Sequence, residues 1–209
     1  LHKAIRRQRQ MCIRDRFIIC WALAGVGLYS CSLDEPSYGK TTSDNYYQKE
    51  SDIEQALTGA YLQLRTTWNE YALNHYFVGD CSTDDALKGG GNDGDRAEVR
   101  DLSDFTIYTT NGEVGRRWEI LYRLINRCND VIYYAPDAIG NEELLKRYAN
   151  EAKALRAFGY YCLVTTFGEV PLITTPMQPA EILQIPRSPL EKVYAVSYTH
   201  LTLPTNSLV

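Results

Sequence analysis

Asp84 and Asp85 are the first residues of this chain whose type and spacing suggest chemistry. Two carboxylates can cleave a glycosidic bond when they flank it at a set separation, which neighbours in a turn-rich stretch do not reach. The pair therefore reads as a solvated acidic turn, or as a carboxylate that accepts hydrogen bonds from ligand hydroxyls. Asn92-Asp93-Gly94-Asp95 has calcium-loop composition but lacks the alternating acidic spacing and terminal Glu of an EF-hand. Gly89-Gly90-Gly91 has no Lys-Ser/Thr at phosphate-loop spacing. His75 and His200 have no nucleophile in register, and His2 lies near the chain start. Cys81, Cys128 and Cys162 show no zinc-type spacing and read as small buried hydrophobes, with one pair possible in an oxidising compartment. The expectation is a protein without catalytic residues, cofactor or metal.

Charge narrows the partners. From Cys31 onward the chain holds 16 basic and 25 acidic residues. Nucleic-acid binding needs clustered Lys and Arg against phosphates, so that class is excluded. Aromatic usage is skewed to 16 Tyr against 5 Phe and 3 Trp, which suits half-exposed helix packing and binding surfaces.

The elements that must position these residues are helical. Ile53, Ala56, Leu57, Ala60, Tyr61 and Leu64 recur at helical spacing, predicting a helix from about residue 52 to 71, with Gly59 marking a close crossing. Residues 79–111 hold three consecutive glycines and eight acidic residues and predict a long irregular stretch, with a short extended piece over 101–110. Trp118, Leu121, Tyr122, Ile125, Cys128, Asn129 and Ile132 form one face of a helix over 113–134, with Trp118 in the core and Pro136 beyond its end. A further helix is predicted over 141–166, stopped by Gly168, and 170–173 leaves extended. Ser188-Pro189 opens the next. The fold class is mainly α, a tetratricopeptide-like helical scaffold with long irregular loops, although the strict 34-residue signature is absent.

The start of the chain reads as an address. Arg6, Arg7, Arg9, Arg14 and Arg16 precede an apolar run over 17–28, too short to span a bilayer and fitted to a signal peptide. Leu28-Tyr29-Ser30-Cys31 resembles a bacterial lipobox, in which Cys31 is acylated and becomes the membrane anchor. Residues 1–30 are thus a lipoprotein-type signal peptide, and 32–49 a polar tether.

Four segments in order resemble the SusD/RagB family of glycan-binding outer-membrane lipoproteins. YQKESDIEQALTGAYLQL over 47–64 is similar to the family's opening helix, and DCSTDD over 80–85 to its S-D-D turn. WEILYRLINRCNDVI over 118–132 resembles W-x-x-L-Y-x-x-I-x-x-x-N. EAKALRAFGYYCLVTTFGEVPL over 151–172 resembles E-A-K-x-L-R-A-x-x-Y-x-x-L-x-x-x-F-G-x-V-P-L, the most specific of the four. The resemblance covers 31 to about 196. It implies a tetratricopeptide-like lid on a SusC-like TonB-dependent transporter, importing oligosaccharides at the outer membrane. Family members place glycan contacts before the helix at 113–134, and sugars need flat apolar faces and polar groups. Asp85, Arg96, Tyr108 and Asn111 are accordingly the expected ligand contacts, with Phe105 beside them. Arg156 is expected to pair structurally with a carboxylate. The different-class alternative is a surface helical-repeat scaffold that binds proteins and no nutrient. Residues 1–16 and 197–209 resemble translated sequencing-adapter sequence and are read as non-native, which leaves 31–196 as the N-terminal part of a family member, incomplete at its C-terminus.

With a native leader in place, Cys31→Ala is expected to move the protein out of the membrane fraction. Unchanged membrane retention, with no acyl mass on Cys31 of the wild type, is the contrary result.

Overall fold

The computed structural model describes residues 46–65, 75–92 and 94–201, all within the compact unit Thr41–Val209. Among the described residues there are seven α-helices and one two-stranded ribbon. In chain order these are α1 (Glu50–Tyr61), α2 (His75–Val78), α3 (Ala97–Ser103), α4 (Gly112–Tyr134), α5 (Glu142–Phe167), β1 (Val170–Pro171), α6 (Pro179–Ile182), β2 (Arg187–Ser188) and α7 (Leu190–Leu201).

The two long helices make an antiparallel hairpin. Each starts on an asparagine: Asn111 Oδ1 accepts the Glu113 and Val114 N–H groups, and Asn141 Oδ1 those of Glu143 and Leu144. Both side chains thereby satisfy donors that a helix start leaves unpaired. A single 3₁₀ turn, Ala135–Asp137, with Pro136 inside it, reverses the chain between them. The helices cross closely at Gly159, where a Cβ would lie 3.1 Å from Ile125 Cγ1. Gly168 ends α5 at φ 73°, a left-handed backbone angle that favours glycine.

Helix α1 buries Ile53, Leu57 and Ala60 against one half of the hairpin, with Leu124, Cys128, Val131 and Ala152. The other half packs Leu121, Ile125, Tyr160 and Leu163 with Val170 and with Val193 of α7. A smaller cluster, Phe77, Cys81, Val99 and Leu102, sits beneath α2 and α3. The three cysteines are buried free thiols, and burial pushes the Cys128 thiol up to about 12. The pair considered from sequence is not formed.

A polar seam fixes the chain after α5. Tyr160 OH donates to Ile173 O at 2.8 Å and accepts the Ile173 N–H at 2.7 Å. Asn129, fully buried, donates Nδ2 to the same carbonyl and accepts from Arg156 Nη1 at 2.8 Å. Arg156 Nη1 also reaches Thr174 O, and Tyr122 OH reaches Pro171 O at 2.7 Å. The extended 171–174 segment is therefore bonded by side chains of both long helices. Burial pushes the Tyr160 phenol up to about 12 and lowers the Arg156 guanidinium. Arg156 thus donates to the Asn129 side-chain amide and to the Thr174 carbonyl.

Other expectations also shift. The first helix gives way at Leu62–Leu64 to a 3₁₀ turn and stops at Arg65, which is extended, short of residue 71. Its Gly59 admits a side chain rather than a neighbouring helix: Arg127 Nη1 donates to Gly59 O at 2.7 Å. The stretch 79–111 is not structureless. It carries a 3₁₀ turn at Asp80–Ser82 and helix α3, because Val99 and Leu102 can be buried under the N-terminal end of α4. Over 101–110 the chain is a helix end, a turn, three residues without regular structure and a second turn, with no paired strand. Helix α7 continues to Leu201, past the boundary read at 196.

Tyr160→Phe keeps the ring and strands the buried Ile173 N–H, so a loss of about 2–3 kcal/mol in urea denaturation is expected; a loss below about 0.5 kcal/mol would contradict the seam's role. A second expectation concerns Asp130, which hydrogen-bonds Tyr47. Burial pushes its carboxyl above the usual aspartate range, with the Tyr47 hydroxyl and Arg127 opposing. A carboxyl raised in the folded state contributes stability below the unfolded value, and that contribution is lost as pH rises through the folded value. Asp130→Asn should therefore gain on the wild type between pH 4 and pH 7, measured as paired urea midpoints. A variant that loses ground over that interval would show that the ion is favoured.

Candidate functional site

Helices α3 and α4 start close together and are tied by two side chains. Asn111 Nδ2 donates to Glu98 O at 2.9 Å, while Glu98 Oε1 accepts the Gly112 N–H at 3.2 Å. Gly112 has no room for a side chain, since a Cβ would lie 2.6 Å from that Glu98 oxygen. Between the tied ends opens a cleft of about 460 Å³ lined by Gly94, Arg96, Ala97, Glu98, Glu113 and Arg116.

Arg96 is held from several sides. It precedes α3 with φ 47°, an uncommon backbone angle for a residue with a side chain. Its guanidinium lies 4.9 Å from the Phe77 ring centroid and 3.5 Å from Glu113 Oε1. Glu113 is only 6% exposed, so this ion pair is less screened than a surface one. The cleft thus offers planar donor forks and fixed carboxylate acceptors a short distance apart, which is how protein side chains grip vicinal hydroxyls.

Of the four residues expected to contact ligand, Arg96 alone lines this cleft. Asn111 lies behind it. At 6% exposure, with Oδ1 accepting two helix N–H groups and Nδ2 donating to Glu98, its side chain shapes the cleft and does not present itself to a ligand. That side chain caps α4. Tyr108 is 66% exposed in the turn before α4, and Phe105, 71% exposed at φ 56°, precedes it. Neither is packed into the core. Asp85 is exposed in a turn where its N–H donates to Thr83 Oγ1. Cys31 lies outside the described residues.

Glu98, Glu113 and Arg116 were not singled out from the sequence. The signal for Glu113 was present in Asn-x-Glu at a helix start, which marks a first-turn carboxylate. Glu98 was hidden because its helix was read as loop.

A second cavity, about 220 Å³, lies beside Trp118, Tyr122, Ile125, Pro171, Ile173 and Ile182. Trp118 is half-buried there, its ring edge-on to Phe167 at 5.1 Å. These walls are mainly apolar and offer a hydroxylated ligand few partners. Asn92 Oδ1 accepts the Gly94 and Asp95 N–H groups in a local turn. Among the described residues no group of three His, Cys, Asp or Glu side chains could hold a metal ion.

Comparisons with known proteins agree with this architecture. A family model described as SusD-like, starch-binding associating with outer membrane, matches residues 32–207. The SusD-like protein P2 of Formosa agariphila is 29% identical over 184 residues, covering 86% of this chain and 35% of that protein. The SusD-like protein P25 of the same organism is 25% identical over 183 residues, covering 82% and 34%. Among solved structures, a laminarin-binding SusD-like protein superposes with TM-score 0.65 at 30% identity, covering 74% of this chain and 33% of that one. Surface glycan-binding protein A from Bacteroides uniformis gives 0.62 at 28% identity, covering 73% and 33%. The chain spans about a third of the length of the relatives it matches.

Proposed function

Because the chain belongs to the SusD-like family of starch-binding proteins that associate with the outer membrane, we propose that it is a cell-surface oligosaccharide-binding lipoprotein. In this reading it is anchored through Cys31 and acts as the lid of a SusC-like TonB-dependent transporter in nutrient uptake. The cleft lined by Arg96, Glu98, Glu113 and Arg116 is the observation that carries the reading. It brings guanidinium donors and carboxylate acceptors together where the segment 79–111 meets the start of α4.

The work done is binding and release, not bond cleavage. Glu98 and Glu113 are engaged, one with a backbone N–H and one with a guanidinium. Arg96 supplies a planar fork to a pair of hydroxyls, and Glu113 sets the plane of that fork. Tyr108 and Asp85 contact parts of the ligand that extend beyond the cleft, the tyrosine with its ring face and the aspartate with its carboxylate. Asn111 holds the cleft open by keeping the two helix starts in register.

Affinity electrophoresis with soluble glycans tests the reading. Retardation by an oligosaccharide or glucan such as laminarin is expected. Arg96→Lys keeps the charge opposite Glu113 and loses the fork, and should weaken retention at least about tenfold. Tyr108→Ala, at an exposed position, should weaken it about fivefold without moving the melting temperature. Wild-type retention in both variants would remove the site, and no retardation by any glycan would remove the function.

A further inference from the structure

We infer that Asn111 is a site of spontaneous deamidation, held dormant by the side-chain tie between α3 and α4 and uncovered when α3 lets go. The inference does not depend on the glycan-binding reading. Asn111 is the one asparagine of the chain that is followed by glycine. Glycine carries no side chain to shield its own backbone nitrogen, and it lets the peptide turn freely. The reaction is internal to the pair. The Gly112 nitrogen gives up its proton to solvent and attacks Asn111 Cγ, ammonia leaves, and a succinimide ring closes. Water then opens the ring at either carbonyl, so one water is consumed, one ammonia is released, and aspartate or isoaspartate remains.

The fold opposes each step of that ring closure. The Gly112 nitrogen must swing round to the Cβ side of Asn111, and at φ −62° and ψ 120° it points away from Cγ. The amide cannot rotate to meet it without losing three hydrogen bonds, two accepted from Glu113 and Val114 and one donated to Glu98 O. The Gly112 N–H is itself held by Glu98 Oε1 at 3.2 Å, and a carboxylate there disfavours the amide anion that would attack. The same contact requires the glycine, because a Cβ at 112 would lie 2.6 Å from that oxygen. The tie therefore imposes the residue that makes Asn111 labile and supplies the restraint that protects it. Release of α3, a seven-residue helix, removes the restraint without unfolding the hairpin. The products would then keep α3 loose. Aspartate at 111 still caps α4, but it cannot donate to Glu98 O and sets a negative charge against it. Isoaspartate adds a carbon to the backbone and breaks the cap.

The test is peptide mapping by mass spectrometry of the full chain kept at mildly alkaline pH, with the same chain in urea as the unfolded reference. Deamidation adds about 1 Da to the peptide that holds Asn111. The folded wild type is expected to react at least about a hundredfold more slowly than the unfolded chain. Glu98→Ala removes the acceptor of the Gly112 N–H and should raise the folded rate about tenfold, whereas Glu98→Gln, which still accepts it, should raise it less. Val99→Ala loosens the packing of α3, leaves the groups of the tie in place, and should also raise it. Asn111→Asp stands for the aspartate product and should speed hydrogen exchange across Ala97–Ser103 while α5 stays unchanged. A folded wild type that reacts as fast as the unfolded chain, or an Asn111 that does not react in urea, overturns the inference. A wild-type rate in Glu98→Ala overturns the protection by the tie. So does an acceleration shared equally by the exposed Asn126 and Asn150, which would place control in global unfolding.

Discussion

The hydrogen bonds between Tyr160 OH and the backbone of Ile173 are the constraint on which much of this structure depends. A chain that leaves a helix must find partners for its peptide groups, and a short extended segment cannot supply its own. Here the partners are side chains of the hairpin. Tyr122 and Asn129 reach from α4, and Arg156 and Tyr160 from α5. Because every one of these groups is at least half-buried, losing one leaves others unsatisfied, and the seam behaves as a unit. It sets where β1 lies, hence where β2 pairs with it, and hence where α7 begins.

The same economy appears at the start of α4. Asn111 caps α4 with its oxygen and bonds α3 with its nitrogen, so one side chain both starts a helix and fixes its neighbour. Glu98 completes the tie from the opposite side. The cleft is what remains between two helix starts held apart and in register. Its charged lining is thus a product of ordinary helix-terminus chemistry, in which acidic residues favour the first turn. Sites built on helix ends in this way are stiffer than sites on free loops.

The long helices were legible in the sequence because their apolar faces repeat over six or seven turns and their ends carry Asn, Pro and Gly. The motif residues of α4 and α5 were legible as a pattern, but their roles were not. Nothing in spacing says that Arg156 reaches the Asn129 amide and the Thr174 carbonyl. Helix α3 was lost because seven residues give too few periods to stand out among glycines and acids, and its stability comes from Val99 and Leu102 finding a partner surface. The site was half legible for the same reason. Arg96 and Tyr108 could be chosen by residue type, whereas Glu98 and Arg116 become neighbours only when two helix starts meet, and Asn111 looks the same in sequence whether it caps or binds.

The Trp118 cavity and the Arg96 cleft differ in a way that bears on how firmly a sugar would be held. The Trp118 cavity removes apolar surface from water and would bind an apolar group well, yet it offers hydroxyls little compensation. The Arg96 cleft exchanges hydrogen bonds with water for hydrogen bonds with protein, each with a net contribution of only about 1 kcal/mol, or somewhat more where a charge is involved. Three or four such bonds, less the cost of ordering a flexible ligand, correspond to affinities of roughly millimolar. Weak affinity at ordinary association rates means fast release. On the reading proposed above, added affinity would slow the handover of a captured oligosaccharide, because most of it is expressed in the release rate. A charge-balanced cleft on helix ends suits such a handover better than an apolar pocket.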